Sequence, residues 1–149
     1  MEYAFYAFWG ALAIIFLLLG IVTYVLAAVG LYNMAKNKRL ENAWLAWIPL
    51  IQLYIIGKII GHLEIGTYDV PRVELVLPGL AIAVVVLGAV PLVGTLVVVT
   101  ALIVSIMALY RLYTIYRPDQ AVFFLVISIL IPFMGPVFIF IMRHDMPLA

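Results

Sequence analysis

The run from Leu75 to Tyr110 carries no charged side chain. As one straight helix it would be about 54 Å long, at 1.5 Å per residue. A bilayer's hydrocarbon core is only ~30 Å thick, so the run has to break or turn. Pro78-Gly79 and Pro91-Leu92-Val93-Gly94 are the natural breaks. Two arrangements fit. In one, a single span at 90–112 follows a half-buried apolar segment at 75–89. In the other, two spans form a tight hairpin.

The rest of the chain places this run in lipid. The sequence is 68% hydrophobic and 10% charged, against roughly 45–50% and about 25% in soluble domains. A soluble fold of 149 residues cannot bury that excess, so it needs the bilayer as a second apolar solvent. The formal net charge is +1, too small for a global field that would attract nucleic acid. No arginine-rich helix or RNP-like aromatic motif is present. The chain has no cysteine, which excludes disulfides, thiolate metal sites and cysteine nucleophiles.

The expected fold is all-α: a polytopic integral membrane helical bundle forming one transmembrane domain over 1–149. Spans are expected at about 10–32, 43–61, 90–112 and 121–141. Tyr3, Tyr6 and Trp9 resemble an interfacial anchor ahead of the first span. The start lacks the basic residues of a secretory signal and its apolar run continues to Ala35, which predicts a retained span. Gly10, Gly20 and Gly30 punctuate this span with small residues of the kind that let helices approach closely. The second span is short and contains Pro49 and Gln52, with Lys58 able to snorkel at its end. It is either a kinked span or a re-entrant segment. Pro132, Gly135 and Pro136 break the last one.

Two stretches echo one another. "GLYNMAKNKRLENAWLAWIPLIQLYIIG" and "RLYTIYRPDQAVFFLVISILIPFMGPVFIF" each run from a span end through Leu-Tyr, basic residues and an aromatic to Ile-Pro. A third Φ-Pro-Φ-Φ stands at Val90-Pro91-Leu92-Val93. The echo suggests a weak internal repeat of two-span units, which preserves orientation and supports four spans over five. Four spans put Lys36, Lys38, Arg39, Arg111 and Arg117 on one side and Lys58, Arg72 and Arg143 on the other. The positive-inside rule then makes loops 33–42 and 111–120 cytoplasmic, with the N-terminus outside a cell membrane.

Trp47, Ile48, Pro49, Tyr54 and Gly57, with the later "VPLVG" and "IPFMGP", resemble a family of small prokaryotic multi-pass membrane proteins of unknown function. In that family a short Ile-Pro span follows a basic loop. The resemblance covers about Leu31 to Arg143 and implies a membrane fold and no activity.

Chemistry-bearing residues are few. Ionisable residues inside a membrane are the usual marks of ion paths and proton relays, and the expected spans hold almost none. Gln52, beside Pro49, is the costliest polar group to leave unpaired, so Gln52, Pro49 and Lys58 are the ligand or solute candidates. The competing reading of Gln52 is an interhelical hydrogen bond worth about 0.6 kcal/mol. His62, Glu64 and Asp69 are weak metal candidates. His-x-Glu diverges on a helix but converges on one face of a strand. Gly57-x-x-x-Gly61 matches a small-xxx-small packing pattern. No GxSxG, HExxH or Walker loop occurs. No enzyme activity and no cofactor are therefore expected.

Lys36, Lys38, Arg39, Arg111 and Arg117 could bind anionic lipid headgroups, each worth about 1 kcal/mol near a charged surface. Arginine over the neighbouring tyrosines would add cation–π attraction. Orientation of the spans alone is the simpler use of those charges. The function expected is a non-enzymatic membrane protein acting through membrane lipids, a membrane protein partner or its own copies: an accessory subunit, scaffold or regulator. The alternative is a small oligomeric transporter or channel, favoured by broken helices and internal repetition.

Overall fold

Three prolines reverse the chain, and these reversals organise the fold. A proline offers no N–H and holds φ near −65°, so it ends a helix without orphaning a donor. The computed structural model describes residues 1–148 and is mostly helical, 77% when its short 3-10 turns are counted with its six α-helices. Helix α1 (Glu2–Asn37) leads to a 3-10 turn (Ala43–Trp47) and α2 (Ile51–Ile60). A two-stranded antiparallel ribbon follows, β1 (Leu63–Ile65) with β2 (Tyr68–Val70). Then come α3 (Val73–Leu87), α4 (Val93–Tyr116), α5 (Ala121–Leu130) and α6 (Met134–Ile141). Two helices, α1 and α4, are long and apolar enough to cross a membrane.

The first reversal is at Ile48-Pro49-Leu50-Ile51. Leu50 takes φ +66° and ψ −44°, and Ile51 N–H donates to the Pro49 carbonyl at 2.8 Å. This is a γ-turn with a positive-φ centre. The Tyr24 hydroxyl on α1 donates to the Trp47 carbonyl just before the turn, satisfying a group that the broken helix leaves free. Lys38 Nζ donates to the Ile59 carbonyl at 2.6 Å, so the segment returns to the end it left.

The second reversal repeats the first. Leu92 takes φ +65° and ψ −59°, and Val93 N–H donates to the Pro91 carbonyl at 2.8 Å. Gly94 sits so close to the Leu87 and Gly88 carbonyls that a β-carbon there would overlap them. Leu75–Tyr110 turns back on itself, with α3 ending at Leu87 and α4 beginning at Val93, and of the two only α4 is long and apolar enough to cross a membrane. The third reversal, at Ile131-Pro132-Phe133-Met134, uses an Ile131 carbonyl to Met134 N–H bond of 2.9 Å. Phe124 and Phe138 stack across it at 4.2 Å between ring centroids. Tyr113 packs edge-on against both.

These reversals correct the sequence reading in three places. The segments at 43–61 and 121–141 are not single helices. Each goes out and back as two short helical pieces, because proline and the extended residue before it interrupt the backbone ladder. The echoed unit is thus a proline-tipped hairpin, and the third Φ-Pro-Φ-Φ belongs to the same series. Lys58, Arg72 and Arg143 are not opposite the other basic residues. Lys58 immediately precedes Ile59, whose carbonyl Lys38 holds, and the Arg143 carbonyl accepts from Asn37 at 3.2 Å. Arg72 caps α3, whose first turn lies on Gly57. The expected all-α fold also acquires the small ribbon at 63–70.

The packed core lies directly under this polar end. Leu31, Met34, Ile55, Ile59, Val73, Leu112, Tyr113 and Met142 are almost fully enclosed. Away from it the molecule is apolar and uncovered. Residues 1–22 of α1 and the α3–α4 tip at 85–93 expose nearly every large side chain.

Candidate functional site

All four polar segments meet at one end, and charge there is sorted by pairing. Arg117 donates through Nε to Asp145 at 2.6 Å and through Nη2 at 3.4 Å. That bond, with the Asp145 charge, raises the guanidinium's pKa above its ordinary value. The Arg143 guanidinium lies over the Phe140 ring, 3.9 Å from its centroid. Lys36 stands 6.0 Å from the Tyr32 centroid and Lys58 5.5 Å from that of Tyr54. The expected stacking of arginine on tyrosine does not form. Tyr113 and Tyr116 turn into the core, while Arg111 points to the surface.

The five lipid candidates therefore separate. Arg117 is neutralised by Asp145. Lys36 is exposed on the last turn of α1. Arg39, at φ +57°, lines a small polar cavity with Glu41, Asn42, Tyr54 and Lys58. Lys38 and Arg111 share a cleft of about 500 Å³ with Ile60, Thr114, Ile115, Pro118, Pro147 and Leu148. No carboxylate lines it among the described residues. Partial burial, and then the nearby Arg111 charge, lower the Lys38 pKa from the ordinary lysine value.

His62, Glu64 and Asp69 do come together, as strand geometry requires. Glu64 faces Asp69 across the ribbon, and His62 stands on the same side of β1 as Glu64 while Leu63 turns into the core. His62 Nε2 lies 2.9 Å from Glu64 Oε1, and Nδ1 lies 3.1 Å from Asp69 Oδ1. The His62 bond, then the His62 charge, hold the Glu64 carboxyl below its usual range, with Arg111 adding to the effect. Both ring nitrogens lie against carboxylates, so His62 has no ring nitrogen left open to another ligand. No group of three such side chains among the described residues is arranged to hold a metal ion. His144 stays exposed and outside the triad.

Gln52, Pro49 and Lys58 do not form one site. Pro49 is exposed at the first hairpin tip and Lys58 is exposed at the polar end. Gln52 lies between them, and its Nε2 is buried without a hydrogen-bond partner. The expected interhelical bond from this side chain is absent. Gly57 packs against the Val73–Glu74 backbone, as its motif implied, but Gly61 touches nothing and instead ends α2 at φ +70°.

Sequence reasoning missed that the basic clusters share one face. The signal was present in the repeated Φ-Pro-Φ-Φ, had it been read as a reversal and not as a kink. The chain matches no protein-family model, no curated protein and no solved structure in comparisons of sequence and fold.

Proposed function

We propose that this is a non-enzymatic integral membrane protein that acts through anionic lipids and membrane partners, as an accessory subunit or scaffold. One observation carries the reading. All eight lysines and arginines gather at the polar end, while the opposite end is apolar save for Glu2. In a bilayer, that end belongs on the cytoplasmic face by the positive-inside rule. Helix α1 then crosses with its N-terminus outside. The α3–α4 hairpin enters from the cytoplasmic face, and the two shorter hairpins reach about 15 Å into the hydrocarbon, by their residue count. This arrangement replaces four crossings with one crossing and three insertions. It agrees with the resemblance to small prokaryotic multi-pass membrane proteins in being a membrane fold, and differs from it in the number of passes.

Basic residues in a row at a membrane face attract anionic headgroups, and this chain has little extramembrane mass for other work. Charge reversal of Lys36, Lys38 and Arg39 to Glu is expected to strip co-purifying anionic lipid, read by native mass spectrometry of the gently extracted protein. Undiminished anionic lipid on a variant of intact topology would sink the reading.

The transporter reading has one observation in its favour, the unpartnered Gln52 amide near a broken helix. Discontinuous helices at membrane depth often surround substrate sites. Flux in liposomes that survives Gln52→Leu would remove this residue from any path.

A further inference from the structure

The cleft between Lys38 and Arg111 stands apart from the rest of the polar end because it brings two cations together with no carboxylate among its described lining residues, although Arg111 also borders Glu64 in a separate cavity. Glu64 and Asp69 are engaged by His62, Asp145 by Arg117, and Glu41 faces the separate cavity lined by Arg39 and Lys58. Lys38 uses one ammonium proton on the Ile59 carbonyl, leaving two donors. Arg111 has five donors and makes no hydrogen bond or ion pair among the described residues. Two cations brought together without an anion repel one another. The fold maintains that arrangement with structure on both sides: the Lys38–Ile59 bond on α2 and the rigid last turns of α4. The Thr114 hydroxyl gives its proton to the Tyr110 carbonyl at 2.9 Å, so its oxygen faces the cleft as an acceptor only.

We infer that the Lys38–Arg111 cleft is a binding site for a phosphate group, an extension that rests on the lipid reading above. A phosphate offers the several acceptor oxygens that an arginine fork and a lysine recognise together. The remaining walls, Ile60, Ile115, Pro118, Pro147 and Leu148, suit the glycerol and first methylenes of a phospholipid. They accept the carbon skeleton of a soluble phosphate ester equally well. The shared chemistry is the phosphate, and its source is decided by the probe.

The test compares the wild-type chain with Lys38→Gln/Arg111→Gln and with Lys58→Gln/Arg72→Gln. The second pair removes the same charge from the same end but outside the cleft. Each is delipidated in detergent, checked by circular dichroism and gel filtration, and offered nanodiscs of phosphatidylglycerol or phosphatidylcholine. Inorganic phosphate is titrated separately by calorimetry. The cleft variant is expected to hold phosphatidylglycerol at least roughly tenfold more weakly than Lys58→Gln/Arg72→Gln, which loses only the diffuse attraction that every basic residue at this end contributes. Equal loss in both variants would overturn the cleft and leave a diffuse lipid attraction standing. Binding of inorganic phosphate that the cleft variant loses, without preference for phosphatidylglycerol, would keep the cleft and remove the lipid source. A wild type that binds neither probe ends both readings. Should the double variant not fold, Arg111→Gln alone, at an exposed side chain, is expected to weaken binding roughly fivefold, and unchanged affinity rejects the site.

Discussion

At the scale of the residue, glycine is used here in two distinct ways. A β-carbon at Gly57 would overlap the Glu74 and Val73 backbone, and backbone cannot give way as a side-chain tip can. Gly57→Ala is therefore expected to destabilise the protein by about 1–3 kcal/mol, seen as a lower Tm in detergent. Gly20 has nothing within 4 Å, so Gly20→Ala should leave Tm unchanged or slightly raised. Equal shifts for both would contradict the helix contact. The ribbon carries a pH dependence of defined sign. Glu64 has its carboxyl pKa lowered in the folded state, chiefly by the His62 bond. Its contribution is present above the ordinary carboxyl pKa, ~4.3, and is lost as pH falls through the lowered folded value. Amide exchange at 63–70 is expected to speed up below about pH 4.3, beyond the intrinsic trend. Glu64→Gln should abolish that extra acceleration, and a ribbon indifferent to acid would exclude the triad. Reading His62, Glu64 and Asp69 from sequence succeeded because residues two apart share a strand face. Reading Gln52 failed in its partner, since nothing local says where a buried amide points.

At the scale of the element, the same turn is built twice. Pro49-Leu50 and Pro91-Leu92 each place leucine at positive φ, a conformation costing an L-residue roughly 1–2 kcal/mol. Leu92 is 82% exposed, so little packing opposes its replacement. Leu92→Gly should relieve the strain and raise Tm by a few degrees, while Leu92→Val should lower it through its stiffer, branched side chain. A gain from valine, or a loss from glycine, would show the tip to adopt another turn. The breaks at Pro49, Pro91 and Pro132 were legible in the sequence as breaks. Whether each was a kink or a reversal was not, because a proline interrupts the helix without dictating where the next one goes. Contacts far apart in sequence decide that: Tyr24 with Trp47, Phe124 with Phe138, and Gly94 with Leu87.

At the scale of the whole molecule, the proposed insertion has a direct test. The chain has no native cysteine, so single cysteines report position without background. Cysteines at Thr67, Asp119 and Met146 are expected to react with an impermeant maleimide from one side only, and a cysteine at Tyr3 from the other. Labelling of Thr67 from the same side as Tyr3 would restore the multi-span arrangement. Composition and the uncharged run Leu75–Tyr110 determine by themselves that this chain is strongly apolar and proline-broken, because those properties are sums over residues. They also locate the groups able to carry charge. Only the tertiary structure decides that the polar segments converge on one end and that Lys38 and Arg111 share a cleft while Arg117 pairs with Asp145 and His62 lies between Glu64 and Asp69. Span counting assumes that each apolar segment ends on the far side. A hairpin returns to its starting face with the same hydropathy, so the difference lies in long-range packing and not in any local property of the residues.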